Sequence, residues 1–462
     1  MNLKHYILGM IGLCCMNGCS LMGPIDELKP EYVLDDGTLI TDAASAEIAV
    51  GGIYASWRNY SGIYNAMFMR SGVLKSSSVN GAASFASGSI LDDNFVVSET
   101  YTQLYYVVNQ ANSVLAALQD GRSIRGLSEE MRRNYIKEAK FNRALVHFML
   151  LRLYGEFWKP DSRYGVVLYE EPVRGNIPKA RASVADCYAL IVSDLEEASD
   201  LPVKTASGRP VMYMANGLSA KGFLAKVRLS QGEYKEAYRL VSEVLEEGKA
   251  QGIILEKNYG DVFASFDNSE LLFYPYTMNN QQKVTSNWYD WKGGAGKTLT
   301  MIAEAHPGDR RYQWAFTKSV NPVYQMNKYQ MNDQIENRPG NSLYMLRLSE
   351  LYFIQAEAGL RKGILTPEQV RGLLAPLMKR AGFDDGYLKQ VKDADLLMEI
   401  FDQKYLELFG ENFEEWFDMV RYHALDGVDW QARKYVTAWS GGGILPLPRM
   451  ALSGNNLLEQ NP

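Results

Sequence analysis

Apolar residues recur at intervals of three and four along most of this chain, the spacing of helices that bury one face. In EAKFNRALVHFMLLRLYGEFW, residues 138–158, the residues Phe141, Ala144, Phe148 and Leu151 fall on one stripe, and Gly155 ends the run. LSAKGFLAKVRLSQGEYKEAYRLVSEVLEEG, residues 218–248, reads as two helices around a turn at Gly232. Leu218, Gly222, Ala225 and Leu229 form the first stripe; Tyr234, Ala237, Val241 and Leu245 form the second, and Gly248 is predicted to end the pair. A further pair is LYMLRLSELYFIQAEAGLRKG, residues 343–363, followed by TPEQVRGLLAPLMKRAG, residues 366–382. There Thr366 is placed to cap and Pro367 takes the first helical position. Residues 100–119 and 183–199 carry the same period. Small residues where helices touch, then Gly-x-Tyr-x-x-Ala opening the second helix, resemble a tetratricopeptide repeat. Such pairs bury a face only against neighbours, so several must stack. The fold class predicted is all-α dominated: a tetratricopeptide-like helical-pair scaffold. Long irregular loops over 60–98 and 250–340 and a few short strands, such as LLFYPYT at 271–277, should pack on it.

The first twenty residues break this pattern. Lys4 precedes an apolar run, Ile7 to Met16, that is too short to span a bilayer, and small Gly18 precedes Cys19. Basic start, apolar run and small residue make a secretory signal, and a cysteine at that point resembles a bacterial lipobox. The predicted division is a signal peptide over 1–18, a lipidated tether over 19–40 beginning at Cys19, and one domain over 41–462. Of the four cysteines, Cys14 and Cys15 would leave with the leader, and Cys187 would remain as a buried small hydrophobe. No later stretch approaches eighteen apolar residues.

Composition removes several classes of function. A net charge of −6 without a basic stripe argues against nucleic acid. GGAGKT, residues 293–298, fails as a phosphate loop: the first glycine of that motif would stand at 291, which is Trp291, and no apolar strand precedes it. It reads instead as a mobile surface loop. The histidines His5, His147, His306 and His423 share no metal-ligand spacing, so neither a metal nor another cofactor is expected. His147, on an apolar helix, reads as a satisfied packing residue. The adjacent carboxylates Asp92-Asp93, Glu196-Glu197 and Glu414-Glu415 read as solvated helix surface, not as a glycosidase pair. An enzyme is not expected.

Four stretches in order, the lipobox, the 138–158 helix, YMLRLSELYFIQAEA and the closing LPLPRMALSGNNLLEQNP, together resemble the SusD/RagB family of outer-membrane nutrient-binding lipoproteins of Bacteroidetes. Glu138, Ala139, Phe141, Arg143 and Ala144 match its first long helix. Arg347, Glu350 and Ala356-Glu357-Ala358 match its second. Glu407, Gly410, Glu411, Trp416-Phe417-Asp418 and Arg421 resemble its Trp-Phe-Asp segment, with Glu415 standing where Arg is usual, and Gln460-Asn461-Pro462 matches its terminus. These positions read as architectural: Arg347 and Glu350 are three apart on a helix, and ion pairing within the packed array accounts for them without a ligand. The resemblance implies a surface-exposed outer-membrane lipoprotein that binds oligosaccharide and passes it to a SusC-type TonB-dependent transporter. The alternatives are a peptide-binding member of the same family or a lipid-anchored helical-repeat adaptor.

Sugars stack flat C–H faces on exposed rings and need polar partners for their hydroxyls. Two clusters offer both. YASWRNYSGIYN supplies Trp57, Tyr60 and Tyr64, which also fall at the spacing of a helix core. SNWYDW supplies Asn287, Trp288, Tyr289 and Trp291 beside glycines that permit close approach.

Overall fold

The computed structural model describes residues 40–57, 62–77, 79–206, 209–264, 268–275, 294–318, 324–326, 328, 344–439 and 443–462. The first half holds α1 (Ala43–Ser56), α2 (Gly62–Arg70), α3 (Ala83–Ser87), α4 (Phe95–Gln119), α5 (Glu129–Tyr154), α6 (Val184–Ala198), α7 (Gly217–Ser230) and α8 (Tyr234–Ala250). The second half holds α9 (Lys297–Ala305), α10 (Arg310–Ala315), α11 (Leu348–Lys362), α12 (Pro367–Ala381), α13 (Tyr387–Gln390), α14 (Leu396–Leu408), α15 (Glu414–Asp426) and α16 (Arg449–Gly454). Strands are short and pair antiparallel in twos: β1 (Thr205–Ala206) with β2 (Arg209–Pro210), β3 (Leu271–Phe273) with β6 (Leu346–Arg347), and β4 (Phe316–Lys318) with β5 (Tyr324–Met326). Among the described residues no helix is long and apolar enough to cross a membrane.

Helices stack in sequence order, α4 on α5, α5 on α6, α6 on α7 and α7 on α8. The stack then omits residues 251–347: α8 packs directly on α11, which also carries α12 and α14. This is the helical-pair scaffold that the periodicity predicts. The cap signals are those expected as well. Thr366 and Gln369 form a capping box with Pro367 in the first turn. Gly232 takes the left-handed φ of +79° in the turn between α7 and α8.

The central helix is α5. Ser128 caps it by accepting from the Met131 N–H, Glu129 and Glu130 lie at its positive end, and Gly155 closes it. From Phe141 onward it is buried on all sides, so its polar residues must find partners on different elements. Just before that stretch, the buried Glu138 accepts from the Tyr54 hydroxyl of α1 at 2.9 Å. Arg143 forks onto Asp194 of α6 at 2.8 and 2.9 Å. Arg152 reaches Glu414 of α15 at 2.8 Å.

Several expectations are corrected. Residues 60–98 and 250–340 are not continuous loops, since α2, α3, α9 and α10 lie within them. Gly248 does not end α8; it is a buried helical position, and Gly252, with φ of +79°, follows the helix end at Ala250. The described end of GGAGKT is no surface loop. Gly296 donates to Val73 O at 2.7 Å, and Thr298 is fully buried. His147 is a packing residue but not a satisfied one, because neither ring nitrogen meets a partner. Burial pulls its pKa down to about 3, so the ring is neutral. Cys187 is buried and unpaired as expected, its thiol pushed up to about 11 by burial.

Candidate functional site

Of the residues that carry the resemblance, Arg347, Glu350, Glu357, Glu407, Glu411, Trp416 and Arg421 are buried. Arg347 Nη1 meets Glu270 and Glu407, each at 2.6 Å, and its Nε and Nη2 fork onto Glu411 at 2.8 and 2.9 Å. Arg380 bridges Glu270 and Glu407 from the other side. Arg311 joins Glu407, at 3.1 Å, to Asp309, and Lys328 reaches Glu411 at 3.0 Å. Four cations thus face four carboxylates, which is why so much charge can sit in the core. Burial pushes the Glu407 carboxyl upward, but Arg380, Arg347 and Arg311 outweigh it and hold the group well below the usual range. Burial pulls Lys328 down to about 8 against the attraction of Glu411.

A second network links the two halves of the chain. Lys226 of α7 meets Glu350 at 2.9 Å and Glu414 at 3.1 Å, and Arg421 forks onto Glu357 at 2.7 and 2.8 Å. Glu414 and Glu415 are therefore not solvated helix surface, as their adjacency suggested; both are buried. Their turn explains this: Gly410 and Phe413 both take left-handed φ, 72° and 43°, and aim the start of α15 inward. No ligand in solution meets either network.

Two of the three rings of the first aromatic cluster are buried. Trp57 is 4% exposed and donates from Nε1 to Asn142 Oδ1 at 3.0 Å. Tyr64 is 1% exposed, its ring 5.0 Å from that of Phe413. Both rings belong to the core, the outcome that their helical spacing allowed, and neither has a face open to a sugar. Tyr60 lies outside the described residues, as do Asn287, Trp288, Tyr289 and Trp291. The described chain on either side of that second cluster is held firmly. Tyr274 donates its N–H to Met212 O at 3.1 Å, and Gly294 O accepts from Lys75 N at 3.1 Å. Cys19 also lies outside the described residues. Among the described residues no group of three or more His, Cys, Asp or Glu could hold a metal ion.

One pocket was not anticipated. It encloses about 290 Å³ between the end of α2, the turn before α4 and the final residues of the chain, and its lining includes Arg70, Ile90, Pro446, Gln460 and Asn461. Arg70 is 5% exposed, and its guanidinium lies over the Trp416 ring, 4.5 Å from the centroid. Burial pulls its pKa down to about 9, so it remains a cation at neutral pH. The sequence held one signal: a single charge closing the apolar run NAMFMR.

Residues 30–229 match a SusD-like family model described as "Starch-binding associating with outer membrane", and residues 321–462 match the SusD family model. A "SusD-like protein" of Bacteroides ovatus is 26% identical over 72% of this chain, and the match spans 66% of that relative's length. A SusD superfamily protein of Bacteroides thetaiotaomicron superimposes with a TM-score of 0.74 at 22% identity, covering 91% of this chain and all of the other (100%). A "Laminarin binding SusD-like protein" gives 0.71 at 22% identity, covering 91% of this chain and 99% of that one. At such identities the likeness of the solved structures is one of fold.

Proposed function

The chain belongs to the SusD/RagB family, and from that premise we propose that it is a lipid-anchored outer-membrane protein that captures a glycan and passes it to a SusC-type TonB-dependent barrel. The observation that carries this reading is the match of residues 30–229 to a family model described as starch-binding and associated with the outer membrane. The leader ending at Gly18 supports the anchor, with Cys19 as the acylated residue. Several acyl chains, at roughly 0.8 kcal/mol per buried methylene, hold a protein on a membrane effectively permanently. The role is capture by a rigid helical scaffold, with no chemistry performed on the ligand.

Contact with the glycan is assigned to Asn287, Trp288, Tyr289 and Trp291. Burial of Trp57 and Tyr64 favours this cluster over the first. Laminarin, which one neighbour of this fold binds by its name, is the first ligand to try, beside a glycan array. In calorimetric titration, Trp288→Ala or Trp291→Ala should weaken binding more than tenfold, about 1.4 kcal/mol, with cooperative unfolding unchanged. Normal binding by both variants would remove these rings from the site. Cys19→Ala should abolish incorporation of labelled palmitate and release the protein from the outer-membrane fraction.

A further inference from the structure

We propose that the pocket beside Arg70 receives the carboxylate of an acidic sugar, a hexuronate unit of the captured glycan. The inference rests on the glycan-binding reading and adds the class of sugar. Its first support is the isolation of Arg70. Among the described residues the other buried arginines each meet a carboxylate: Arg132, Arg143, Arg152, Arg311, Arg347 and Arg421. Arg70 meets none, and its buried Nε has no hydrogen-bond partner. A charge withdrawn from water without a counter-charge is costly. This one is held by the face of Trp416 and the carbonyl end of α2, and it lines a cavity instead of a packed wall.

Asn461 lines the same cavity, and its amide is held from one side. Asn461 donates from Nδ2 to Leu445 O at 2.7 Å, which fixes its amide, while the buried Oδ1 finds no donor. Gln460 beside it is fully engaged: its Oε1 accepts from Leu447 N at 2.7 Å and its Nε2 donates to Leu447 O at 3.0 Å. The wall is therefore fixed in place. A cation without a carboxylate partner on the wall of a cavity calls for a ligand with an anionic acceptor. Ile90 and Pro446 add apolar surface for a ring. A hexuronate carries a carboxylate, hydroxyls and a C–H face on one unit, and the guanidinium fork matches a carboxylate in two bonds. The volume is near the lower end for small-molecule sites, about 300 Å³, which suits one sugar unit.

The test titrates the purified full chain in detergent with D-glucuronate, with D-glucose as the ring lacking the carboxylate, and with acetate as the carboxylate lacking the ring. Glucuronate should bind saturably, and the other two at least tenfold more weakly. Arg70→Met should abolish that preference and leave unfolding cooperative, because the loss of the guanidinium contact with Trp416 is offset by removal of a buried charge that has no carboxylate partner. Asn461→Asp, which places a like charge beside the carboxylate, should lose glucuronate too, and keeps the test open should the first variant misfold. Glucuronate binding unchanged in either folded variant, or acetate binding as tightly as glucuronate, overturns the proposal. A wild-type protein that takes neutral glycans through Trp288 or Trp291 but ignores glucuronate also overturns it, and leaves the glycan-binding reading standing. Glucuronate binding lost with Arg70, alongside no response to any array glycan, supports the pocket and sinks the broader reading instead.

Discussion

Arg347 and Glu350 are three residues apart at the start of α11 and do not pair. Arg347 stands in extended conformation just before α11, with φ −140° and ψ 162°, and turns to Glu270, Glu407 and Glu411. Glu350 is inside the helix and turns to Lys226. The start of α11 therefore divides two charge networks. One ties β6 and Glu270, the residue before β3, to α14; the other ties α7 to α15, so the first half of the chain is bolted to the second through ionic contacts that no short-range pattern reveals.

Removing Arg347 leaves three carboxylates facing fewer cations in the core. Arg347→Ala should destabilise the protein by about 3–5 kcal/mol, read as a lower urea midpoint. Arg347→Lys should recover little, since one ammonium cannot replace a fork that serves three carboxylates. An unchanged midpoint for Arg347→Ala would mean that the network contributes nothing beyond its neighbours.

The helices were legible because one-sided burial leaves a period in the chain, and caps such as Thr366-Pro367 mark where they start. Burial on all sides leaves no such trace. From Phe141 to Tyr154 the central helix is buried all round, so its stripe named only part of what it hides. Charge was misread for a related reason. Glu414-Glu415 looks like solvated surface because sequence shows the neighbours along the chain, whereas the partners Arg152 and Lys226 are far away in it. The aromatic cluster at Trp57 and Tyr64 had both readings open, and packing decided for the core. Arg70 was visible as a charge in an apolar run, but its lack of a partner is a property of three dimensions.

The string GGAGKT gives a contrast between neighbours. A Cβ on Gly296 would lie 2.2 Å from Gly72 O and 2.6 Å from Gly72 C, both backbone atoms that cannot swing aside. Gly296→Ala should cost about 1–3 kcal/mol of stability. Lys297 is exposed at the start of α9, and Lys297→Ala should change stability by less than about 0.5 kcal/mol. A nucleotide site would behave differently: addition of magnesium and ATP would raise the melting temperature of the wild type and not of Lys297→Ala. Equal melting curves with and without nucleotide are the expected result.

Glu415 makes stability depend on pH in a direction opposite to its neighbour Glu414. Its Oε1 accepts from the Ser71 hydroxyl at 3.2 Å, while Oε2 is buried without a partner. Burial pushes the carboxyl up from 4.5 to about 8, so at neutral pH it is largely protonated in the folded protein and ionised once unfolded. A carboxyl raised on folding supports the native state fully below its unfolded pKa and loses that support as pH rises toward the folded one. Between about pH 4.5 and 8 the wild type should therefore lose stability relative to Glu415→Gln by roughly 1.4 kcal/mol per pH unit, then run parallel to it. Burial also opposes Glu414, but Arg152 and Lys226 win and hold it at about 2, so its contribution is present above pH 4.5 and disappears only as acid approaches that value. Urea unfolding of wild type and Glu415→Gln across this range separates the two. Parallel curves from pH 5 to 8 would show that Glu415 ionises in the folded protein as an ordinary carboxylate does, with a cation close enough to hold its charge.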